Sequence, residues 1–210
     1  MKVVLVNGSS HPAGCTFTAL SEVAQTLNRE GMDTEIFQIG AAPISGCIAC
    51  RMCAKTKICA INDCVNDFLD LAQEADGFIF GSPVHYASAG GAITSFMDRA
   101  FYADMLSGRQ NFYLKPAAAV VSARRAGTTA AFEQLVKYFT ISQMPVISSQ
   151  YWNMVHGNTP EEVRQDLEGM QIMRTLGRNM AWFLRCKQAA AQAGVPLPAL
   201  EDKVRTNFIR

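Results

Sequence analysis

Lys2-Val3-Val4-Leu5-Val6-Asn7 runs straight into Gly8-Ser9-Ser10-His11-Pro12-Ala13-Gly14-Cys15-Thr16, and this junction decides the fold. A continuous run of β-branched residues and Leu reads as a strand buried on both faces. The Gly- and Ser-rich stretch ends it, and Phe17, Leu20, Ala24 and Leu27 then recur on one helical face, closed by Gly31. Strand, tight loop and helix in that order are the opening of a parallel α/β sheet.

The alternation continues outward from there. Thr34–Ile39 is a second strand, followed by a Cys-rich loop at about 44–64 without clear periodicity. A helix follows around Val65–Glu74, with Asp63 or Cys64 at its N-cap. Gly77–Gly81 is a short buried strand and a helix begins near Gly90-Gly91. Ala117–Val121 reads as a fourth strand, Thr128–Phe139 as a helix and Val146–Ser149 as a weaker fifth strand. Thr159-Pro160-Glu161-Glu162 carries a Thr cap, Pro at the first helical position and Glu three residues after the cap. It starts a long C-terminal helix at about 160–192. Five strands alternating with helices predict a doubly wound five-stranded parallel sheet with helices on both faces and right-handed crossovers. No linker divides the chain, so a single domain over 1–210 is expected. Ligands of such sheets sit at the carboxyl ends of the strands.

Composition narrows the function classes. The chain has 210 residues, 49% hydrophobic and 18% charged, with 19 Lys and Arg against 18 Asp and Glu. A near-neutral balance argues against a nucleic-acid or polybasic membrane surface. The apolar run after Lys2 is too short for a signal peptide or a membrane span, so a cytoplasmic protein is expected. In a reducing compartment the seven Cys do not form a disulfide framework. Five of them crowd between Cys47 and Cys64.

The loop after the first strand fits neither common nucleotide motif. A Walker loop needs Lys where Cys15 stands, and a dinucleotide fingerprint needs Gly where Ser10 stands. What remains is a hydroxyl-rich loop at a helix N-terminus, suited to a terminal monophosphate or simply to a strand-to-helix turn. The third strand leads into Gly81-Ser82-Pro83-Val84-His85-Tyr86-Ala87-Ser88-Ala89-Gly90-Gly91 and then Thr94-Ser95-Phe96-Met97-Asp98-Arg99. The fourth leads into Ser122-Ala123-Arg124-Arg125-Ala126-Gly127. Small residues and an aromatic could wall a planar ligand, and positive charge could stabilise a reduced aromatic ring system.

Together these three loops resemble the flavodoxin-like NAD(P)H-dependent FMN reductase superfamily, and most of all its iron–sulfur flavoprotein branch. The resemblance covers nearly the whole chain. It implies strand order 2-1-3-4-5 and non-covalent FMN, with no separate catalytic side chain because the flavin carries the chemistry. It implies that Ser9, Ser10, Gly14, Cys15 and Thr16 hold the phosphate and that Pro83, Val84, His85 and Tyr86 flank the isoalloxazine. Ser122, Arg124 and Gly127 would then lie near its pyrimidine side. His11 departs from the family loop, which more often carries Arg there.

Cys47-x2-Cys50-x2-Cys53-x5-Cys59 lets thiolates converge from one loop, as an iron–sulfur cluster such as [4Fe-4S] requires, with Arg51, Lys55 and Lys57 available to offset its charge. A zinc site and free, redox-active thiols are the other readings. Cys186 is expected in the core.

An FMN-dependent oxidoreductase using NAD(P)H as co-substrate, with a quinone, flavin or other small acceptor, is the leading expectation. The alternative is an electron-transfer protein serving a protein partner. A non-redox nucleotide module is the third reading, weakened by the two failed motifs. A homodimer or homotetramer, with no nucleic-acid or membrane partner, completes the expectation. Tyr151 and Trp152 are candidates for a subunit interface.

Overall fold

In a computed structural model, which describes residues 1–202, 204–206 and 208, the first strand β1 (Lys2–Asn7) lies at the heart of a parallel sheet. Positions 203, 207, 209 and 210 of the expected domain lie outside the described residues. β1 pairs in register with β2 (Asp33–Gln38) on one side and with β3 (Gly77–His85) on the other. β3 pairs with β5 (Ala117–Ala123), and β5 with β6 (Met154–His156). The two-residue β4 (Ser88–Ala89) folds back antiparallel on the end of β3. The order β2-β1-β3-β5-β6 is the expected 2-1-3-4-5 with that small extra strand inserted in the count. The architecture is flavodoxin-like.

Successive residues of the central strands face opposite layers, the period-2 geometry of a pleated strand. Val4, Val6, Phe78, Phe80, Ala119 and Val121 face the layer of α3 (Cys64–Glu74), α4 (Gly91–Ser107) and α5 (Thr128–Ile141). Val3, Leu5, Ile79, Ala118 and Val120 face α1 (Cys15–Arg29) and α7 (Leu167–Gln192). Phe68 occupies the centre of the first layer. Its ring centroid lies 5.1 Å from that of Phe96, 5.5 Å from Phe37 and 6.0 Å from Phe80. These tilted and edge-on approaches are the preferred aromatic geometries. Truncating Phe68 to Ala would cost about 3–5 kcal/mol.

Three elements differ from expectation. The fifth strand is not Val146–Ser149. Val146 makes only an isolated bridge to Ala117, the chain then bows out, and pairing resumes where Met154 meets Val121. The excursion raises Tyr151 and Trp152 to about half exposure, with their rings edge to face at 4.8 Å. The C-terminal helix is also two helices, α6 (Pro160–Gln165) and α7. Asp166 breaks them because it is the cap of the second: its carboxylate accepts from Gly169 N at 2.9 Å and from His156 N at 2.7 Å. The α6 start keeps the Thr cap and Glu read from the sequence, with Thr159 Oγ1 accepting from Glu162 N, while Glu162 reaches back one residue past the cap and accepts from Asn158 N. Finally, the Cys-rich segment contains a short helix, α2 (Met52–Thr56). Cys186, expected in the core, is exposed.

Candidate functional site

The loops after β1, β3 and β5 meet at one end of the sheet and are fastened to each other. Gly8 N donates to Gly81 O at 2.9 Å, tying the first loop to β3. A β-carbon on Gly8 would lie 2.5 Å from that same oxygen, so only glycine permits the approach. The Thr16 and Ser122 hydroxyls share a hydrogen bond of 2.8 Å beneath the first and third loops. Cys15 Sγ donates to Gly157 O at 3.7 Å, linking the start of α1 to the residues after β6. Burial pushes the Cys15 thiol up from its ordinary pKa, with Glu162 and Glu161 adding to the effect, so it stays protonated at neutral pH.

The first loop is shaped by residues beneath it. Asn7 is fully buried, and its Nδ2 donates to Gln38 Oε1 at 2.5 Å and to His11 O at 3.4 Å. Asn7 Oδ1 accepts from Ser9 N, while Gln38 Nε2 donates to Ser9 O at 2.6 Å. Asn7 and Gln38 are register partners on neighbouring strands, so the sheet itself fixes the loop. Both were overlooked in the sequence, where the signal was a polar residue closing each of two adjacent strands. The Ser9 hydroxyl accepts from His11 N, and Ser10 and His11 are exposed. α1 begins at Cys15 with Gly14 as its cap and no capping side chain. Its first N–H groups and the positive end of its dipole are therefore presented beside Ser10 and Gly14, which is the condition for anion binding. A terminal phosphate fits this cradle. The Thr16 hydroxyl points beneath it, so what Thr16 offers a phosphate is its backbone N–H.

The second loop is a two-residue hairpin. Tyr86 and Ala87 both have left-handed backbones, with φ of 49° and 57°, as a type I′ turn requires. That conformation costs a non-glycine residue about 1–2 kcal/mol. Two contacts hold the turn in place. Gln134 Oε1 on α5 accepts from Ser88 Oγ at 2.8 Å and Ala89 N at 2.9 Å. Gly127 at the cap of α5 packs directly on Ala87. Tyr86 is fully exposed, His85 is exposed, and Pro83 and Val84 are half-buried. An aromatic ring held out on a strained, fastened turn is what a planar ligand could stack against. Gln134 carried no signal in the sequence, being one polar residue on a helix.

In the third loop Arg124 and Arg125 are exposed and have no hydrogen bond or ion pair among the described residues. Ser122 is buried with its hydroxyl turned to Thr16, leaving its backbone at the loop. The expected phosphate, ring and pyrimidine residues thus lie on three adjoining loops at the carboxyl edge, and the residues present fit FMN.

The cysteine segment forms a second centre. Cys47, Cys50, Cys53 and Cys59 line one shallow concavity, partly open to solvent. Cys47 and Cys50 are exposed, Cys53 buried and Cys59 half-buried. Ala49 and Arg51, on either side of Cys50, have left-handed backbones, so the chain turns tightly around this cysteine. Burial pushes the Cys53 thiol up, and Cys59 and Cys50 add to the shift. Among the described residues no three Cys, His, Asp or Glu side chains are placed to share a single ion. A cuboidal cluster does not ask for that, because each thiolate takes a different iron. Four thiols around one hollow therefore fit a cluster's donor set. Lys57, expected to offset its charge, instead donates to Ser107 O at 2.7 Å. Arg51 and Arg99 line the hollow. Cys64 lies apart, its Sγ bonded to Ile39 O at 3.7 Å.

Comparison with known proteins agrees with this geometry. The family described as NADPH-dependent FMN reductase matches residues 1–159. An iron–sulfur flavoprotein of Methanocaldococcus jannaschii is 30% identical over 190 residues, covering 86% of this chain and 96% of that protein. One from Archaeoglobus fulgidus is 25% identical over 194 residues, covering 87% and 96%. Among solved structures, RosB superposes with a TM-score of 0.70 at 15% identity, covering 100% of this chain and 94% of that one. FerB of Paracoccus denitrificans, an NAD(P)H:(acceptor) oxidoreductase, gives 0.62 at 15% identity, covering 88% and 97%.

Proposed function

We propose that this chain, which belongs to the NADPH-dependent FMN reductase family and is an FMN-dependent oxidoreductase, takes electrons from NAD(P)H and delivers them to a quinone, a flavin or another small acceptor. The observation that carries this reading is the fastening of three loops into one platform, through Gly8 and Gly81, Thr16 and Ser122, and Ala87 and Gly127. FMN supplies the redox chemistry when bound, accepting hydride at its N5. The protein's part is to bind and orient it. Of Ser9, Ser10, Gly14, Cys15 and Thr16, the last two and Ser10 offer the phosphate backbone N–H groups and the Ser10 hydroxyl, while Ser9 and Gly14, whose N–H groups are held by Asn7 Oδ1 and His11 O, shape the loop around it. Pro83, Val84, His85 and Tyr86 cover the ring, and Ser122, Arg124 and Gly127 approach its pyrimidine side. Arg124 brings positive charge to an edge where reduction places negative charge.

The second centre extends the proposal. Cys47, Cys50, Cys53 and Cys59 hold an iron–sulfur cluster, supported by their shared hollow and by relatives named iron–sulfur flavoproteins. With Cys47 and Cys50 at the surface, this centre favours a second reading, a carrier that exchanges electrons with a protein partner. The chain acts as one FMN-binding domain and assembles as a homodimer or homotetramer. Among the described residues no helix is long and apolar enough to cross a membrane.

The deciding experiment is a visible spectrum of anaerobically purified protein, with flavin, iron, sulfide and zinc quantified per chain. It is followed by steady-state oxidation of NADH and NADPH with small acceptors. Bound FMN and rapid turnover are expected. A colourless protein that does not take up FMN overturns the reading, and reduction only through a protein partner transfers it to the carrier.

A further inference from the structure

Arg99 is the largest fully buried side chain among the described residues, 1% exposed, and its guanidinium is aimed at a sulfur. Nε and Nη2 each lie 3.4 Å from Cys59 Sγ. The same group makes a two-pronged ion pair with Asp63, Nη1 to Oδ2 at 2.5 Å and Nη2 to Oδ1 at 2.8 Å. It also donates to Ile61 O at 2.8 Å and Ser45 O at 3.5 Å. Asp63 is fixed in turn as the cap of α3, accepting from Val65 N. Burial raises the Asp63 carboxyl, but the Arg99 and Val65 bonds outweigh it and hold the group below its ordinary range, so the pair is ionised.

Cys59 is gripped from its other side as well. Asn66 Oδ1 accepts from Cys59 N at 2.8 Å, and Asn66 Nδ2 donates to Cys59 O at 3.0 Å. One side chain thus holds the backbone of this residue and another holds its sulfur. Nη2 gives its two hydrogens to Asp63 Oδ1 and Ile61 O, so Nε is the donor that depends on the sulfur, and a neutral thiol, a weak acceptor, does not compensate a buried guanidinium N–H. A metal-bound thiolate does, because bonds from a charged donor to a charged acceptor are about twice as strong as neutral ones.

We propose that Arg99 is a positioning residue for the cysteine centre: with Asn66 it presents Cys59 preformed, and its charge, together with the Nε–H bond to the sulfur, raises the electron affinity of the cluster that Cys59 ligates. The inference rests on the cluster reading given above. Hydrogen bonds to ligand sulfurs and nearby charge are among the levers that set a cluster's potential. Here the lever has two arms of opposite sign, since Arg99 stabilises the added electron and Asp63 opposes it.

The test is anaerobic reductive titration of the iron-loaded, FMN-containing protein, following the reduced cluster by its paramagnetic resonance signal, with iron and sulfide measured per chain. Arg99→Gln should lower the cluster midpoint about tenfold in its one-electron equilibrium, or about 59 mV. Asp63→Asn should raise it, and Arg99→Lys, which keeps the charge, should lie between Arg99→Gln and the parent. Opposite shifts mark an electrostatic role, since a merely structural one would move the potential in no ordered way. Loss of iron from Arg99→Gln with retention in Arg99→Lys also supports the proposal. If both Arg99 variants fail to fold or load, Asp63→Asn decides alone: a rise supports the proposal, and no change or a fall overturns it. An unchanged midpoint in a fully loaded Arg99→Gln overturns it while leaving the cluster intact. Parent protein without iron and sulfide overturns the cluster reading, and this inference with it, before any variant is made.

Discussion

A β-carbon placed on Gly127 would lie 2.5 Å from the Cα of Ala87. The cap of α5 and the hairpin that carries Tyr86 are therefore in backbone contact, and Gly127 also sits at φ 91°, in the left-handed region. Gly127→Ala must push the hairpin away while straining its own backbone. The expected cost is about 1–3 kcal/mol of stability and at least a tenfold loss of FMN affinity. Urea denaturation and quenching of FMN fluorescence measure the two, and an unchanged flavin affinity would show that the hairpin does not border the ring.

Arg124 is solvated, so its effect on the flavin is expected to be modest. Arg124→Ala should lower the FMN midpoint potential by about 10–20 mV, on the order of 0.5–1 kcal/mol for two electrons. Spectroelectrochemical titration checks this, and Arg124→Lys should recover most of the shift.

The ion pair of Asp63 and Arg99 makes stability depend on pH with a definite sign. The Asp63 carboxyl is held below its ordinary range in the folded chain, so its stabilising contribution is present above about pH 4 and is lost as the pH falls further. Asp63→Asn should therefore be clearly less stable than the parent at pH 7, with the gap narrowing below about pH 4. Urea midpoints from pH 7 down to pH 3 provide the measurement, and a gap that widens in acid contradicts the assignment.

Asp166 caps α7 and also receives the His156 N–H, so one carboxylate joins β6 to the long helix. Asp166→Ala should cost about 1–2 kcal/mol, and Asp166→Asn, which keeps one accepting oxygen but turns its NH2 on the other N–H, should recover only part of that. A thermal melt of the two variants distinguishes loss of the cap from loss of charge.

How much was legible beforehand follows from how local each signal is. The runs Val3–Val6 and Ala117–Val121 announced buried parallel strands because burial on both faces leaves no polar position. The Thr159 cap and its Glu were readable because their partners lie within four residues. The division of the C-terminal helix was not, since Val163, Leu167 and Met170 continue the apolar spacing across Asp166 and the break is made by a tertiary bond to His156. The fifth strand was misplaced because Val146 and Ile147 carry the β-branched signal, while the pairing goes to Met154–His156. At the site, the three loops and four cysteines were visible as motifs. Gln134 and Asn66 were not, and Arg99, visible as the end of the Thr94–Arg99 segment, gave no sign of its burial against Asp63 and Cys59, because these roles exist only across elements that the fold brings together.

The bowed course between Val146 and Met154 bears on how the molecule behaves in a crowded solution. β6 closes one side of the sheet, and an exposed edge of unpaired N–H and C=O groups invites a strand from another molecule. Three paired residues and one isolated bridge leave no continuous ladder to extend. A second chain meeting this side finds the exposed rings of Tyr151 and Trp152 instead, so the bow withholds from it the backbone template that a fibre would need.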